Sequence, residues 1–245
     1  ELVPVLLTEL DEESFERCDA AKASGIGGAV AVPVFDESRL TSVALLMLRA
    51  SGMTGAIELW AGRRGRFELG LAETFAPGLE RFAKLSRYVG FPKGSGLPGL
   101  VWETSRPRLL RGIGTSNQFL RSSGAETSGL TTGFGYPVRR GNELLAVVLW
   151  LSSSVSPLAR RHELWETPDG SSAGLKLTDV ADANADEHRH GALEPFVREA
   201  GETRRPVVFD AAGLSVADGD NAVSAGIALP VLVHDRLGAV GVLAW

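Results

Sequence analysis

The sequence contains very little cysteine and no long hydrophobic run. Cys18 is the single cysteine in 245 residues, which excludes an internal disulfide framework and favours a reducing compartment. The longest apolar run, Leu144 to Leu151, has eight residues, far fewer than the roughly 18 that a membrane-spanning helix needs. The chain begins at Glu1 without a basic-then-apolar leader. We therefore expect a cytoplasmic or organellar protein that is not secreted and has no transmembrane segment.

A surplus of positive charge is also missing, since the net charge is −5 at pH 7. Nucleic-acid binding depends mainly on neutralising phosphates with lysine and arginine, so we predict no nucleic-acid partner. The hydrophobic content of 44% and charged content of 22% are typical of a globular protein with a packed core.

Catalytic and metal-binding motifs are absent as well. The sequence has no G-x-S-x-G elbow, no P-loop and no H-E-x-x-H motif. His188 and His190 form an H-x-H, but on a helix positions i and i+2 point to different faces and cannot readily share an ion. We predict no enzyme activity, no metal site and no cofactor.

What the sequence does contain is an internal repeat. Four pairs of identical residues lie 104 positions apart: Phe15 and Phe119, Arg17 and Arg121, Gly25 and Gly129, Pro33 and Pro137. A weaker third copy begins at Pro206, and each copy ends in a hydrophobic strand. This pattern predicts one building block used several times.

Periodicity assigns the elements within these copies. GAIELW and ARRHELW, which end at Trp60 and Trp165, have the same strand-like pattern. Apolar residues at helical spacing followed by Gly90 predict a helix over Pro77–Val89, and the polar segment Asp179–His190 is its counterpart. Period-two alternation predicts strands at Ala29–Val34 and Ala225–Val233.

These elements divide the chain into a partial unit, 1–50, a complete unit, 51–153, and a degenerate unit, 154–245. In an alternative division the units are permuted (1–106, 107–205 and 206–245), and Val43–Arg49 forms a hairpin with Ala56–Trp60. In the first division, residues 1–50 lack the strands that should cover one side of their sheet. An open sheet edge promotes association, so we expect a protein partner or a homo-oligomer there.

The most distinctive stretch is Phe91–Pro107, FPKGSGLPGLVWETSRP. Its glycines allow a turn, Pro98 suits the start of a short helix, and Ser105-Arg106-Pro107 ends it. Together with flanking residues from Phe82 to Pro137, it resembles the GAF domains of bacterial sensor histidine kinases. The resemblance implies an α+β fold of tandem GAF-like units, each a twisted antiparallel sheet with helices packed on its faces.

The resemblance also places a ligand pocket between the sheet and the connecting segment 110–128. It implies six lining residues: Trp102, Asn117, Phe119, Arg121, Thr132 and Tyr136. An aromatic wall with few polar groups suits a flat organic molecule, although the same aromatics would equally fill a core. For Arg17 and Arg121, which recur in the repeat, we expect structural braces rather than ligand anchors.

Some GAF relatives attach a bilin through a cysteine. Cys18 is followed by Asp19, where those families usually have histidine, and Ser122 replaces it in the second copy. We therefore expect Cys18 to pack as a small buried hydrophobe, with bilin attachment unlikely.

Two functions remain open at this point. One is a non-enzymatic GAF-type sensory or regulatory module that binds a small molecule. The other is a structural protein-interaction subunit, a degenerate GAF scaffold of a larger assembly, for which an organellar or photosynthetic complex is one setting. The missing output domain and the incomplete unit 1–50 favour the second, and the family resemblance favours the first.

Overall fold

A computed structural model describes residues 2–11, 13, 15–183, 192–210 and 223–245. The described chain forms three antiparallel sheets, each contiguous in sequence. His188 and His190 lie outside the described residues.

The first sheet has three strands in the order β1-β2-β3: β1 (Val5–Leu7), β2 (Ile26–Asp36) and β3 (Arg39–Arg49). Helix α1 (Cys18–Ala23) connects β1 to β2. Cys18 is buried against Phe15 and Ala21, so its predicted packing is confirmed.

The second sheet has six strands in the order β6-β5-β4-β9-β8-β7. These strands are β4 (Gly55–Gly62), β5 (Glu68–Phe75), β6 (Gly90–Pro92), β7 (Arg108–Arg111), β8 (Leu130–Arg140) and β9 (Glu143–Ser153). Three helices lie between them: α2 (Glu80–Ser86), α3 (Gly96–Thr104) and α4 (Ser122–Thr127). β3 and β4 belong to different sheets, so the hairpin of the alternative division is wrong.

The third sheet has five strands in the order β11-β10-β14-β13-β12. These strands are β10 (Arg161–Glu166), β11 (Lys176–Asp182), β12 (Val207–Asp210), β13 (Ala225–Val233) and β14 (Arg236–Ala244), and helix α5 (Glu194–Thr203) lies between β11 and β12. The predicted helix Asp179–His190 is wrong over its first four residues, which belong to β11. Pairing with β10 satisfies their backbone groups there.

Helix α3 forms where the sequence predicts it. Gly96 has a φ of 61°, and a Cβ atom there would lie 2.5 Å from the Phe91 ring, so only glycine suits this entry to the helix. Ser105 ends α3 in the left-handed conformation. The helix packs closely on the second sheet, because a Cβ on Gly135 would lie 2.7 Å from Val101 Cγ2.

One apolar core joins all three sheets. It contains Val30 and Leu46 of the first sheet, Phe134 and Trp150 of the second, and Ile227 of the third, together with their neighbours. Polar contacts link the sheets as well. The Tyr136 hydroxyl donates to the Pro230 carbonyl (2.8 Å), the Gly141 amide donates to the Glu37 carbonyl (2.5 Å), and Arg204 pairs with Asp36 (3.1 Å).

Three prolines meet where the sheets join. Pro33 of β2, Pro137 of β8 and Pro230 of β13 line one small cavity, and each is paired in its sheet with a valine. Each proline lies beyond the residues that pair with the outer strand β1, β7 or β12. Pairing with the outer strand therefore ends before the proline in each sheet.

Candidate functional site

The interior of the second sheet holds a buried ion pair. Arg121, just before α4, donates from Nη1 to Glu58 Oε1 (2.6 Å) and from Nη2 to Glu58 Oε2 (2.7 Å). The two side chains are 5% and 0% exposed. Ser86 donates to Glu58 Oε1 (2.7 Å) and also contacts Arg121 Nη1, and Trp60 Nε1 donates to Glu58 Oε2 (3.0 Å). Both carboxylate oxygens are thus fully engaged within the protein.

Aromatic rings surround this guanidinium. The Arg121 Cζ lies between 4.7 and 5.9 Å from four ring centroids, those of Trp60, Phe82, Phe91 and Phe119. Cation–π attraction adds to the ion pair in such a dry setting. Arg121 therefore acts as a brace that ties the segment before α4 to strand β4, as expected from the sequence.

The six residues predicted to line a ligand pocket are not brought together. Phe119 and Arg121 are adjacent and buried, and Trp102 is half-buried at the edge of the same core. Asn117 is exposed and Thr132 is half-buried on β8. Tyr136 belongs to the core shared by the three sheets, on the other face of the second sheet. Tyr136 is therefore separated from Phe119 by the second sheet.

Arg17, the repeat counterpart of Arg121, is exposed. Its position in the repeat is the same, but the described part of residues 1–50 contains no strand that corresponds to β4, which carries the partner carboxylate Glu58. Without that carboxylate, burial of the guanidinium would be costly. The brace predicted for Arg17 is therefore wrong.

The third sheet also buries a glutamate beside a tryptophan, but the arginine that pairs with this glutamate comes from a different position in the chain. Trp165 Nε1 donates to Glu163 Oε2 (2.7 Å), as Trp60 does to Glu58. Here the arginine is on the same strand, since Arg161 Nε donates to Glu163 Oε1 (2.6 Å) and its Nη1 pairs with Asp182 (3.1 Å). Sequence reasoning missed both glutamates, although the repeated Glu-Leu-Trp was a usable signal.

His162 lies in the core between the second and third sheets. It is 1% exposed, its ring centroid is 6.1 Å from that of Phe134, and its Nε2 has no hydrogen-bond partner among the described residues. Burial lowers the pKa of His162 to about 4, because the charged imidazolium loses its hydration. The side chain is therefore neutral near pH 7.

A groove of about 480 Å³ runs along β3, at the edge of the first sheet. We call it the β3 groove. Its lining includes Leu45–Arg49 of β3, together with side chains from the second and third sheets and from the loop after β9, among them Ile57, Trp150, Leu158, Val208, Ile227 and Trp245. Most of these side chains are apolar. The groove has the size of a small-molecule site and, equally, of a site for a short peptide.

The edge of the first sheet exposes large apolar side chains. β3 is the outermost strand and pairs only with β2 within the described part of the chain. Val43 and Leu45 are each 52% exposed and Met47 is 38% exposed, and they alternate with buried side chains of the same strand. Val5, which is 44% exposed, is on β1 at the opposite edge of the sheet. An edge strand that exposes apolar side chains is typical of an interaction surface.

Among the described residues there is no group of three or more histidine, cysteine, aspartate or glutamate side chains placed to hold a metal ion. No described helix combines the length and the apolar character needed to cross a membrane.

No protein-family model matches the chain, and no curated protein is significantly similar to it. Solved structures give partial matches. A GAF domain of the nlh2 protein from A. aeolicus in an inactive state has 18% identity and a TM-score of 0.33, over 42% of this chain and 59% of that one. A Staphylococcus aureus NreA protein mutated in its nitrate-binding site has 17% identity and a TM-score of 0.35, over 44% of this chain and 79% of that one. This chain thus spans less than two thirds of the first structure.

Proposed function

We propose that this chain is a non-enzymatic interaction subunit built from GAF-like units: a partial one at 1–50, a complete one at 51–153 and a third at 154–245. The observation that carries the proposal is the apolar edge strand β3, which pairs only with β2 among the described residues and borders the β3 groove. A partner polypeptide docks at this edge, and the other two sheets support the surface from behind.

The spacing of the elements supports the division into units. Helix α4 begins 104 residues after α1, at Ser122 against Cys18. Strands β8 and β9 follow β2 and β3 by the same interval, at Leu130 against Ile26 and Glu143 against Arg39. Equal spacing of one helix and two strands, each with the same length as its counterpart, favours duplication of one building block.

Site-specific photo-crosslinking tests the interaction. A photoreactive residue replaces Leu45 on β3 or, as a matched control, Leu85 on α2, where the exposure is nearly the same at 49%. Each chain is incubated with extract of the source cells, and crosslinked polypeptides are identified by mass spectrometry. We expect a defined polypeptide that crosslinks at Leu45 and not at Leu85, and that binds the chain again when purified. Equal labelling at the two positions would contradict the proposal.

The second candidate is a sensory module that binds a small apolar molecule, favoured by the volume and lining of the β3 groove. In this candidate the ligand occupies that groove rather than the aromatic interior around Arg121, which is already filled by side chains. Native mass spectrometry and thermal-shift screening against nucleotide, tetrapyrrole and aromatic-metabolite panels test it. A ligand-free chain with an unchanged melting temperature across the panels would count against it.

A further inference from the structure

We infer that the open edge of β3 accepts an extended partner strand, which lies antiparallel to β3 and places large apolar side chains in the β3 groove. The described residues supply no strand on this side of β3, and the partner strand belongs to another polypeptide. This inference rests on the proposed interaction function and specifies the partner's chemistry and its mode of binding.

In each of the other two sheets, a strand pairs at the position that corresponds to the open edge of β3. In the second sheet, Gly55–Trp60 of β4 pairs antiparallel with Val147–Ser152 of β9. In the third sheet, β10 pairs antiparallel with Ala239–Ala244 of β14 in the same way. β3 begins 104 residues before β9. Like β9 and β14, it is the second strand of its hairpin. It is the member of the three that has no strand on this side within the described chain.

The groove lies along the backbone edge rather than elsewhere on the sheet. Five consecutive residues of β3, Leu45–Arg49, line it. In an extended strand consecutive side chains point to opposite faces, so a cavity that touches all five runs beside the strand. Strand addition uses such an edge: its main-chain groups give affinity and the adjoining apolar pockets give specificity.

The chemistry of the partner follows from the side chains that border the groove. Ile57, Trp150 and Ile227 belong to the core shared by the three sheets, and they also line the groove. Every second side chain of the added strand would therefore contact this apolar core, which is exposed at the β3 groove. The strand that fits is apolar at alternate positions, as the chain's own β4 is at Ile57 and Leu59, both members of that core.

A peptide with the sequence of β4, GAIELWAG, is the probe. It is labelled at its amino end and titrated with the whole chain, while fluorescence anisotropy follows binding. We expect saturable binding. A control peptide with proline at the positions of Ile57 and Leu59 lacks two amide donors and should not bind. Leu45→Glu in the chain places a like charge opposite the glutamate of the peptide, because Glu58 pairs with Leu149, the counterpart of Leu45, in the second sheet. It should weaken binding about tenfold or more, whereas Leu85→Glu should leave binding unchanged.

Hydrogen exchange locates the bound peptide. Backbone amides of β3 should exchange more slowly with the peptide present, and the amides of α2 should not change. Binding that neither protects β3 nor responds to Leu45→Glu would overturn the inference. A stable dimer of the chain that Leu45→Glu dissociates and the peptide does not would also overturn it, because a second copy would then occupy the edge.

The failure of the inference is distinguishable from that of the proposed function. If the peptide does not bind but a defined polypeptide still crosslinks at Leu45, strand addition is wrong and the interaction function stands. If neither is seen, both are wrong.

Discussion

The first and second sheets share an outer strand, a helix and a hairpin, but they differ beside the second strand of the hairpin. β2 and β3 have the same lengths as β8 and β9, and the helix before each hairpin has six residues in both. In the second sheet β4 lies next to β9, and Arg121 is buried against the β4 carboxylate Glu58. In the first sheet the described residues supply no strand at the corresponding position, and Arg17 is exposed. The arginine at this repeat position is thus buried where a neighbouring strand supplies a carboxylate and exposed where none is described.

Substitution of this arginine in both sheets is the strongest test of the comparison. Arg121→Met leaves the Glu58 carboxylate buried without its charge partner, which should lower the free energy of unfolding by about 3–5 kcal/mol. Arg17→Met, the matched control, should change it by less than about 0.5 kcal/mol. Urea unfolding followed by circular dichroism measures both. The double variant Arg121→Met with Glu58→Leu should recover part of the loss. Equal effects at the two arginines would break the comparison.

The third sheet extends the comparison through His162, which precedes Glu163 as Ile57 precedes Glu58. Burial lowers the pKa of His162 to about 4 from 6.5. Between these values the unfolded chain binds a proton that the folded chain does not, so stability falls as the pH falls from about 6.5 to 4. The loss is about 3 kcal/mol when complete.

His162→Ile removes both the titration and the buried unpaired nitrogen. The variant should therefore be at least as stable as the parent at pH 7, and the gap between them should widen at pH 5. Chemical denaturation at pH 7, 6 and 5 measures the difference. A gap that stays constant with pH would show that His162 does not titrate on unfolding in this range.

A smaller change in stability is expected from substitutions where helix α3 packs on the second sheet. An added methyl group at Gly135 would meet Val101 of α3 at 2.7 Å, whereas the corresponding residue of the first sheet is already Ala31. Gly135→Ala should destabilise the chain by about 1–3 kcal/mol through overpacking. Ala31→Gly should cost about 1 kcal/mol or less. Thermal melting of both variants compares them, and a tolerated Gly135→Ala would mean that α3 can move away from the sheet.

The smallest effect on folding is expected at the open edge. Leu45 is half-exposed, so Leu45→Glu should change the free energy of unfolding by no more than about 0.5 kcal/mol. The matched measurement on Leu85→Glu should give a similar value. A large loss at Leu45 alone would indicate that the edge already contributes to the core of the isolated chain.

Much of the fold can be predicted from local pattern and repetition. The strand Ala225–Val233 is confirmed residue for residue, and the helix predicted over Pro77–Val89 is present but shorter, at Glu80–Ser86. β11 could not be predicted from its composition, because polar residues such as Asp179 are placed in a strand by pairing with β10. Tertiary pairing overrode local preference there.

Less of the candidate site than of the fold can be predicted from the sequence. Recurrence identified Arg121 as a brace, but its partner Glu58 is 63 residues away and pairs with it only through the arrangement of β4 and α4. Tyr136 was grouped with Phe119 by family resemblance, yet the two lie on opposite faces of one sheet. The β3 groove depends on the approach of the third sheet to the first, which no local pattern encodes.

The three prolines at the junction of the sheets also mark how far each outer strand pairs along its neighbour. Proline has no amide donor, and the pairing of β1, β7 and β12 stops before Pro33, Pro137 and Pro230. The tip of every hairpin thus extends past its own outer strand. The three tips line one small cavity together, so the sheets meet at the ends of their hairpins.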